Sequence, residues 1–257
     1  MPIIADMAKK EPLISVIVPA YNEEDYIKDC LDSLTNQDLS PDLFEIIVVD
    51  NNSSDKTKKI IQKFPVKYVF EAKRGVVLAR QKGFEASKGK IIASADADTI
   101  YPRNWLSEIK NTFEKNKEAI AVCGWVYFKD TTPFFNYSFA LSQEANALLK
   151  RIVGKFPLVY AANFAFKREA LEKIGGYPKH IPELGDQQYL LYNFFKLGEV
   201  LINKRMYCIT SSRRHKKAVK DIFVYNGWYR IIGFFLNSIL GKEIISQAPA
   251  VREKRNP

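Results

Sequence analysis

Short apolar runs alternate with amphipathic segments through the first half of the chain. Apolar, β-branched runs at residues 13–20, 44–50, 66–70 and 90–96 predict strands. Polar capping residues followed by apolar positions three and four apart predict helices over residues 22–34 and 77–86, and a helix carrying Ile60, Ile61 and Phe64 after the caps at 51–55. Repeated β-α-β units with nearly continuous apolar strands predict an α/β fold whose mostly parallel sheet is covered on both faces.

The second half is less regular. Its patterns predict helices at residues 102–117, 141–153 and 168–174, and strands at 119–128 and 161–166. An aromatic segment at 133–139 stands apart from these elements, Gly175-Gly176-Tyr177-Pro178 predicts a turn, and Asp186 heads a further amphipathic helix.

Acidic residues follow two of the predicted strands. Asp50 ends the second strand, and Asp96-Ala97-Asp98 follows the fourth. Parallel strands end at one edge of a sheet, where ligands bind, and carboxylates there suit Mg²⁺ or Mn²⁺ bridging a diphosphate. The alternative for the D-x-D motif is a solvated loop with a helix cap. The sequence has neither G-x-G-x-x-G nor a Walker motif, which disfavours a dinucleotide oxidoreductase and a P-loop phosphotransferase.

Length and composition favour one domain with an appendage. The chain has 257 residues, of which 47% are hydrophobic. We expect a disordered N-terminus at 1–12, a domain at 13–218 and a helical tail at 219–257. Without a signal-peptide pattern or an uncharged apolar stretch of about 18 to 20 residues, we expect a cytoplasmic protein. The three scattered cysteines indicate neither disulfides nor a zinc site.

The net charge of +10 is concentrated near the C-terminus, because residues 204–220 contain many lysines and arginines and no acid. Such a face suits nucleic acid, an anionic membrane or a diphosphate, or is simply solvated.

The order of motifs resembles glycosyltransferase family 2, whose members have the GT-A fold. The resemblance covers about residues 13–198 and depends on five motifs in order: Val18-Pro19-Ala20-Tyr21-Asn22-Glu23-Glu24, Val48-Val49-Asp50-Asn51-Asn52-Ser53-Ser54-Asp55, Ala79-Arg80-Gln81-Lys82-Gly83, Asp96-Ala97-Asp98, and Arg168-Glu169-Ala170-Leu171 with Gly175-Gly176-Tyr177. It implies an inverting transferase that uses a nucleoside-diphosphate sugar.

The resemblance also implies a nucleotide pocket. The base pocket would be lined by Pro19, Tyr21 and Glu23. Asp50 would accept a hydrogen bond from the uracil or guanine edge. We expect uridine rather than guanosine.

Three further residues would contact the rest of the donor. By the same resemblance, Arg80 lies near the phosphates, Asp96 contacts the ribose and Asp98 binds Mn²⁺ or Mg²⁺. A surface cation is the alternative for Arg80.

Asp186 matches the position of the base that deprotonates the acceptor. Members often carry Glu-Asp there, whereas this chain has Gly185-Asp186, so Glu183 is the second candidate and a plain helix cap is the alternative for Asp186. The Gln-x-x-Arg-Trp signature of processive members is absent, which favours transfer of a single sugar.

Beyond these motifs, His215 matches a histidine that some GT-A enzymes bring to the metal, although a structural or exposed histidine is its alternative. Arg213 and Arg214 could close over the donor diphosphate and exclude water.

The segment at 221–240 is aromatic and apolar but is interrupted by Asn226, Arg230 and Asn237. It suits a helix in a bilayer interface, so we expect contact with an anionic membrane on its inner face and a lipid-linked or glycolipid acceptor. A core helix or a homodimer interface is the alternative.

Two other functions are possible rivals: a noncatalytic sugar-nucleotide-binding protein and a basic nucleic-acid-binding protein. We expect no nucleic-acid partner, because nucleic-acid binding leaves the acidic edge of the sheet unexplained.

Overall fold

The computed structural model describes residues 11–178 and 186–213. The strands are β1 (Ile14–Ala20), β2 (Phe44–Asp50), β3 (Lys67–Phe70), β4 (Ile91–Ser94), β5 (Thr99–Ile100), β6 (Ala119–Lys129), β7 (Phe164–Lys167) and β8 (Glu199–Ser211). The helices are α1 (Ile27–Thr35), α2 (Thr57–Ile61), α3 (Val76–Ala86), α4 (Trp105–Lys115), α5 (Pro133–Val153), α6 (Arg168–Lys173) and α7 (Asp186–Leu197).

All eight strands form one sheet in the order β3-β2-β1-β4-β7-β6-β8-β5. The predicted parallel pairing holds among β1 to β4, and β6 also pairs parallel with β8. The sheet as a whole is mixed, because β7 runs antiparallel to both β4 and β6, and β5 runs antiparallel to β8. The predicted α/β class is therefore correct, with more antiparallel pairing than the sequence indicated.

Alternate residues of β1 enter two different cores. Val16 and Val18 pack in the cluster that holds the buried residues of α1 and α4, whereas Ile17 packs with buried residues of α3 and α7. Successive side chains of a strand point to opposite faces, so helices cover the sheet on both sides, as predicted.

Two elements differ from the expectation. The aromatic segment at 133–139 is the first part of α5 rather than a separate stretch; Pro133 begins the helix, and the Thr132 hydroxyl accepts a hydrogen bond from the Phe135 N–H at 3.2 Å. The long strand β8 was not predicted, because its polar and basic residues hide the apolar positions that the sheet buries.

The domain boundaries stay predictions. Residues 1–10 and the whole tail at 219–257 lie outside the described residues. Within the described ranges, no helix is both long and apolar enough to span a bilayer.

Candidate active site

The predicted acids lie at one edge of the sheet. Asp50 is the last residue of β2 and pairs with Ala20 at the end of β1. Asp96 and Asp98 follow β4, which pairs parallel with the other side of β1. The Asp98 carbonyl accepts a hydrogen bond from the Ser211 N–H at 3.2 Å, so β8 also ends here. The carboxyl ends of β1, β2, β4 and β8 therefore meet at this edge of the sheet.

A buried arginine joins two of the acids. The Arg80 side chain, on α3, is 4% exposed. Its Nη1 lies 2.5 Å from Asp186 Oδ2, and its Nη2 lies 3.1 Å from Asp96 Oδ1. Gln187 Nε2 also donates to Asp186 Oδ2 at 2.9 Å. Arg80, Asp96 and Asp186, which we call the Arg80 cluster, thus connect α3, the D-x-D motif and α7.

The electrostatics of the Arg80 cluster favour the charged guanidinium. Burial by itself disfavours the guanidinium charge, but attraction to Asp186 and Asp96 outweighs it and raises the pKa of Arg80. A buried charge is tolerated when it is paired and hydrogen-bonded, and here one cation faces two carboxylates.

A second arginine holds the other acid of the motif. Arg213 Nη2 lies 3.1 Å from Asp98 Oδ2 and also contacts Glu23 Oε1. The guanidinium stacks over the Tyr26 ring, 4.4 Å from its centroid. Burial opposes the charge of Arg213, but the hydrogen bond and charge of Glu23, together with Asp98, raise its pKa. We call Arg213, Glu23 and Asp98 the Arg213 cluster.

The Asp98 carboxylate suits a hard cation. It is 8% exposed, and its Oδ1 accepts a hydrogen bond from Thr210 Oγ1 at 3.3 Å. Its Oδ2 faces a positive charge, that of Arg213, and carboxylate oxygen is the ligand that Mg²⁺ and Mn²⁺ prefer. Among the described residues, no group of three or more His, Cys, Asp or Glu side chains is placed to hold a metal.

Asp50 is held rigidly at the neighbouring strand end. It is 2% exposed; Tyr68 Oη donates to its Oδ2 at 2.9 Å, and the Ser53 N–H donates to its Oδ1 at 3.0 Å. Burial, the hydrogen bond and the negative charge of Asp50 raise the pKa of Tyr68 to about 12. Among the described residues, the Asp50 side chain hydrogen-bonds to its own loop and to β3, and to neither arginine cluster.

The segment predicted to line the base is fixed by a neighbouring loop. Pro19 lies within β1, and the Tyr21 ring is 41% exposed with the Arg74 guanidinium 4.7 Å from its centroid. The Glu23 N–H donates to Thr57 Oγ1 at 2.8 Å. The loops after β1 and β2 therefore hold each other, and Arg74 is a residue of this surface that the sequence analysis did not identify.

The turn after α6 also belongs to the site. Gln81, the neighbour of Arg80, accepts a hydrogen bond from the Tyr177 N–H at 2.9 Å. The Tyr177 hydroxyl is buried beside the Arg80 cluster, and burial raises its pKa. The sequence placed Tyr177 in a turn and in a family motif but did not predict its contact with Gln81, which lies 96 positions earlier.

Some predicted residues lie outside the described residues: Glu183, Arg214, His215 and the segment at 221–240. Within the basic run, Lys204 is paired with Glu144 at 2.6 Å, and Arg213 is paired as above. Lys204 and Arg213 are therefore ion-paired with acids of the chain, which makes them less available to bind nucleic-acid phosphates.

The part of the chain that matches a known protein family contains most of this site. Residues 15–175 match the model described as "Glycosyl transferase family 2". The match begins in β1 and ends in the turn after α6, so of the predicted site residues that the structure describes it excludes only Asp186 and Arg213.

Two relatives are similar to more than half of the chain. Glycosyltransferase AglE of Haloferax volcanii is 30% identical over 70% of this chain and 60% of its own length. A relative from Methanococcus voltae, "Dolichyl N-acetyl-alpha-D-glucosaminyl phosphate 3-beta-D-2,3-diacetamido-2,3-dideoxy-beta-D-glucuronosyltransferase", is 26% identical over 61% of this chain and 48% of its own length. The chain thus spans about half to three fifths of these relatives.

The fold matches that of a solved transferase. The mannosyltransferase PcManGT from Pyrobaculum calidifontis, in complex with GDP-Man and Mn²⁺, superposes with a TM-score of 0.70 at 23% identity. The superposition covers 93% of this chain and 66% of that one. The GT-A fold is therefore the fold of this chain.

Proposed function

The chain belongs to glycosyltransferase family 2, and from that premise we propose that it is an inverting, metal-dependent glycosyltransferase. It moves a single sugar from a nucleoside-diphosphate sugar, with uridine favoured over guanosine, to an acceptor hydroxyl or phosphate. The observation that carries this proposal is the convergence of Asp96, Asp98 and Asp186 at one sheet edge, with an arginine on each side of the D-x-D motif.

The two arginines are the groups that would bind the diphosphate. Arg80 and Arg213 are both ion-paired with carboxylates, and a guanidinium can exchange a carboxylate for a phosphate with the same bidentate geometry. We infer that the donor diphosphate draws these guanidinium groups away from Asp186 and Asp98. Binding would then release the carboxylates for their own roles.

Asp186 is the proposed base. It is 2% exposed and its Oδ2 is shared by Arg80 and Gln187, so its orientation is fixed. Asp186 accepts the proton of the acceptor hydroxyl as that oxygen attacks the sugar carbon. A base released from Arg80 only when donor is present would limit deprotonation of water and wasteful hydrolysis.

Asp98 is the proposed protein ligand for Mg²⁺ or Mn²⁺, with His215 as a second candidate. When bound, the metal neutralises charge on the leaving nucleoside diphosphate. Asp96 is assigned to the ribose, and Pro19, Tyr21, Glu23 and Asp50 to the base. Tyr21 offers a half-exposed ring for stacking, and Asp50 a carboxylate fixed at the adjacent strand end.

The acceptor is proposed to be lipid-linked and met at the inner face of the membrane, with the protein otherwise in the cytoplasm. The support is the aromatic segment at 221–240, the basic run before it, and the dolichyl phosphate acceptor in the name of the relative from M. voltae. A homodimer through the same segment is the alternative.

Ligand-dependent thermal stability tests donor binding. A ligand that binds the native state alone raises the melting temperature, and the increase grows with the logarithm of ligand concentration over Kd. We expect UDP or GDP to raise it only with Mn²⁺, and Asp98→Ala to abolish that increase. Glu114→Gln, at an exposed carboxylate of α4, is the matched control and should respond like the wild type. A response to adenine nucleotides without metal would contradict the assignment.

Release of diphosphate tests catalysis. Incubation of UDP-sugars or GDP-sugars with Mn²⁺ and a polyisoprenyl phosphate should release UDP or GDP. If nucleotide binds with Mn²⁺ but neither water nor any acceptor releases diphosphate, the protein is a noncatalytic sugar-nucleotide-binding protein. A salt-dependent gel shift with nucleic acid that Mn²⁺ does not affect would instead favour the nucleic-acid-binding rival.

A further inference from the structure

Helix α5 packs Phe135 and Phe139 against the core, yet it also carries a row of large apolar side chains on its exposed face. The exposed face carries large apolar residues three, four and seven positions apart: Phe134 (79% exposed), Tyr137 (70%), Leu141 (60%), Leu148 (53%) and Ile152 (72%). We call these five residues the α5 stripe. At about 1.5 Å per residue the stripe extends roughly 27 Å along the helix. Scattered exposed apolar residues are common, but a row of this length, interrupted only by Glu144 between Leu141 and Leu148, marks a contact surface.

Amide side chains fix this orientation from the opposite side. Gln143 and Asn146 are the residues of α5 that the fold buries. Gln143 accepts from the Val126 N–H at 2.9 Å and donates to the Val126 carbonyl at 3.0 Å, and Asn146 donates to the Leu158 carbonyl at 3.0 Å. The helix is thus clamped to β6 by polar groups, so it cannot rotate the α5 stripe inward without breaking buried hydrogen bonds.

The charges around the α5 stripe suit an anionic surface. Glu144 is the single acid within α5, and Lys204 Nζ lies 2.6 and 2.7 Å from its two oxygens. Arg151 and Lys155, at the C-terminal end of the helix, are exposed. An apolar aromatic face with basic flanks on a chain of net charge +10 is typical of a helix lying in a membrane interface.

The α5 stripe also begins close to the active site. Ser212 Oγ donates to the Asp130 carbonyl at 2.8 Å, two residues before the cap of α5, and the next residue, Arg213, pairs with Asp98. A surface that contacts the stripe would therefore lie beside the Arg213 cluster.

We propose that α5 is a membrane-docking helix, and that its occupant is an anionic lipid bilayer. The side chains of the α5 stripe enter the bilayer interface, while the basic residues at the end of the helix contact the lipid headgroups. Docking would present the Arg213 cluster to an acceptor held in the bilayer; this last step alone rests on the proposed function.

Vesicle binding by the full-length chain tests the inference. The variant Leu141→Ser, Leu148→Ser, Ile152→Ser removes apolar area from exposed positions. We expect the wild type to co-sediment with vesicles of phosphatidylcholine and phosphatidylglycerol, and the triple variant to partition at least about tenfold more weakly. Phe70→Ser is the matched control, because Phe70 is 50% exposed on β3 at the far edge of the sheet. It should bind vesicles like the wild type.

Three measurements decide between occupants. If a bilayer covers the stripe, the triple variant keeps the wild-type melting temperature, the monomer mass by light scattering and the response to nucleotide with Mn²⁺. A lowered melting temperature with no wild-type vesicle binding would mean that another segment of the chain covers α5. A dimer that the triple variant dissociates would mean a second copy. Either result overturns the proposal, as does unchanged vesicle binding. Loss of the nucleotide response in the wild type would contradict the proposed function and leave membrane docking unaffected.

Discussion

The Arg80 guanidinium and the Asp186 carboxylate form a buried ion pair, with Arg80 Nη1 2.5 Å from Asp186 Oδ2 and 106 positions between the residues. The pair joins α3, in the first half of the chain, to the first residue of α7. It therefore couples the residue proposed to bind phosphate to the residue proposed to act as base.

Asp186→Asn should abolish transfer while sparing donor binding. The amide has nearly the same shape as the carboxylate but cannot accept the acceptor proton, so we expect kcat to fall by about 100-fold or more. The stabilisation by nucleotide with Mn²⁺ should remain. Glu172→Gln, at a side chain 55% exposed on α6, is the control and should transfer normally. Full transfer by Asp186→Asn would exclude Asp186 as the base.

Arg80→Met should destabilise the fold. The substitution leaves Asp186 buried without its counter-charge, and we expect the free energy of unfolding to fall by about 3 to 5 kcal/mol. Urea denaturation measures this change. Combining Arg80→Met with Asp186→Asn should restore part of the loss, because no buried charge then stays unpaired. A loss in the double variant equal to the sum of the losses in Arg80→Met and Asp186→Asn would mean that the two side chains are not energetically coupled.

Arg213→Gln should have opposite effects on metal and nucleotide. Arg213 occupies the Asp98 oxygen proposed to bind the metal, so removing its charge should increase the affinity of the free protein for Mn²⁺ by about fivefold. The affinity for UDP or GDP with Mn²⁺ should fall, since a phosphate partner is lost.

Electron paramagnetic resonance titration with Mn²⁺ and calorimetry with nucleotide measure the two effects. Arg103→Gln, at a cation of the loop before α4, is the control and should change neither. Weaker Mn²⁺ binding by Arg213→Gln would contradict the competition between Arg213 and metal.

Tyr68 should make stability depend on pH in the alkaline range. Its pKa is raised from 10.0 to about 12 in the folded state by burial and by Asp50. The neutral phenol is thus favoured in the fold, so its contribution is fully present below pH 10 and is lost as the pH rises through about 12. The difference in unfolding free energy between wild type and Tyr68→Phe should be constant below pH 10 and shrink above it. Tyr137→Phe, at a ring 70% exposed, is the control. A difference that does not change with pH would contradict the shift.

The parallel part of the sheet could be predicted because its signals are local. The apolar runs that became β1, β2 and β4 are buried on both faces, so they are apolar at nearly every position, and the acids after them mark the strand ends. Because these strands pair in parallel, Asp50, Asp96 and Asp98 lie at the same edge of the sheet. The family resemblance, and with it the GT-A fold, was carried by short motifs that the sequence displays directly and was confirmed by the comparison over residues 15–175.

Helix α5 and strand β8 show where local patterns fail. In α5, Phe135, Phe139 and two amides face the fold while other large apolar side chains face outward, so the apolar pattern predicts a helix but not which face packs on the sheet. The exposed basic positions of β8 conceal a strand whose pairing with β6 depends on residues far away in sequence.

The sequence by itself determined the acidic edge, the parallel strands that end there and the residue types available for a nucleotide and a metal. Only the tertiary structure decided the partners: that Arg80 lies between Asp96 and Asp186, and that Arg213 lies between Glu23 and Asp98. The physical reason is that strand patterns arise from burial of neighbouring residues, whereas an ion pair depends on side-chain reach between elements that sequence separation does not encode.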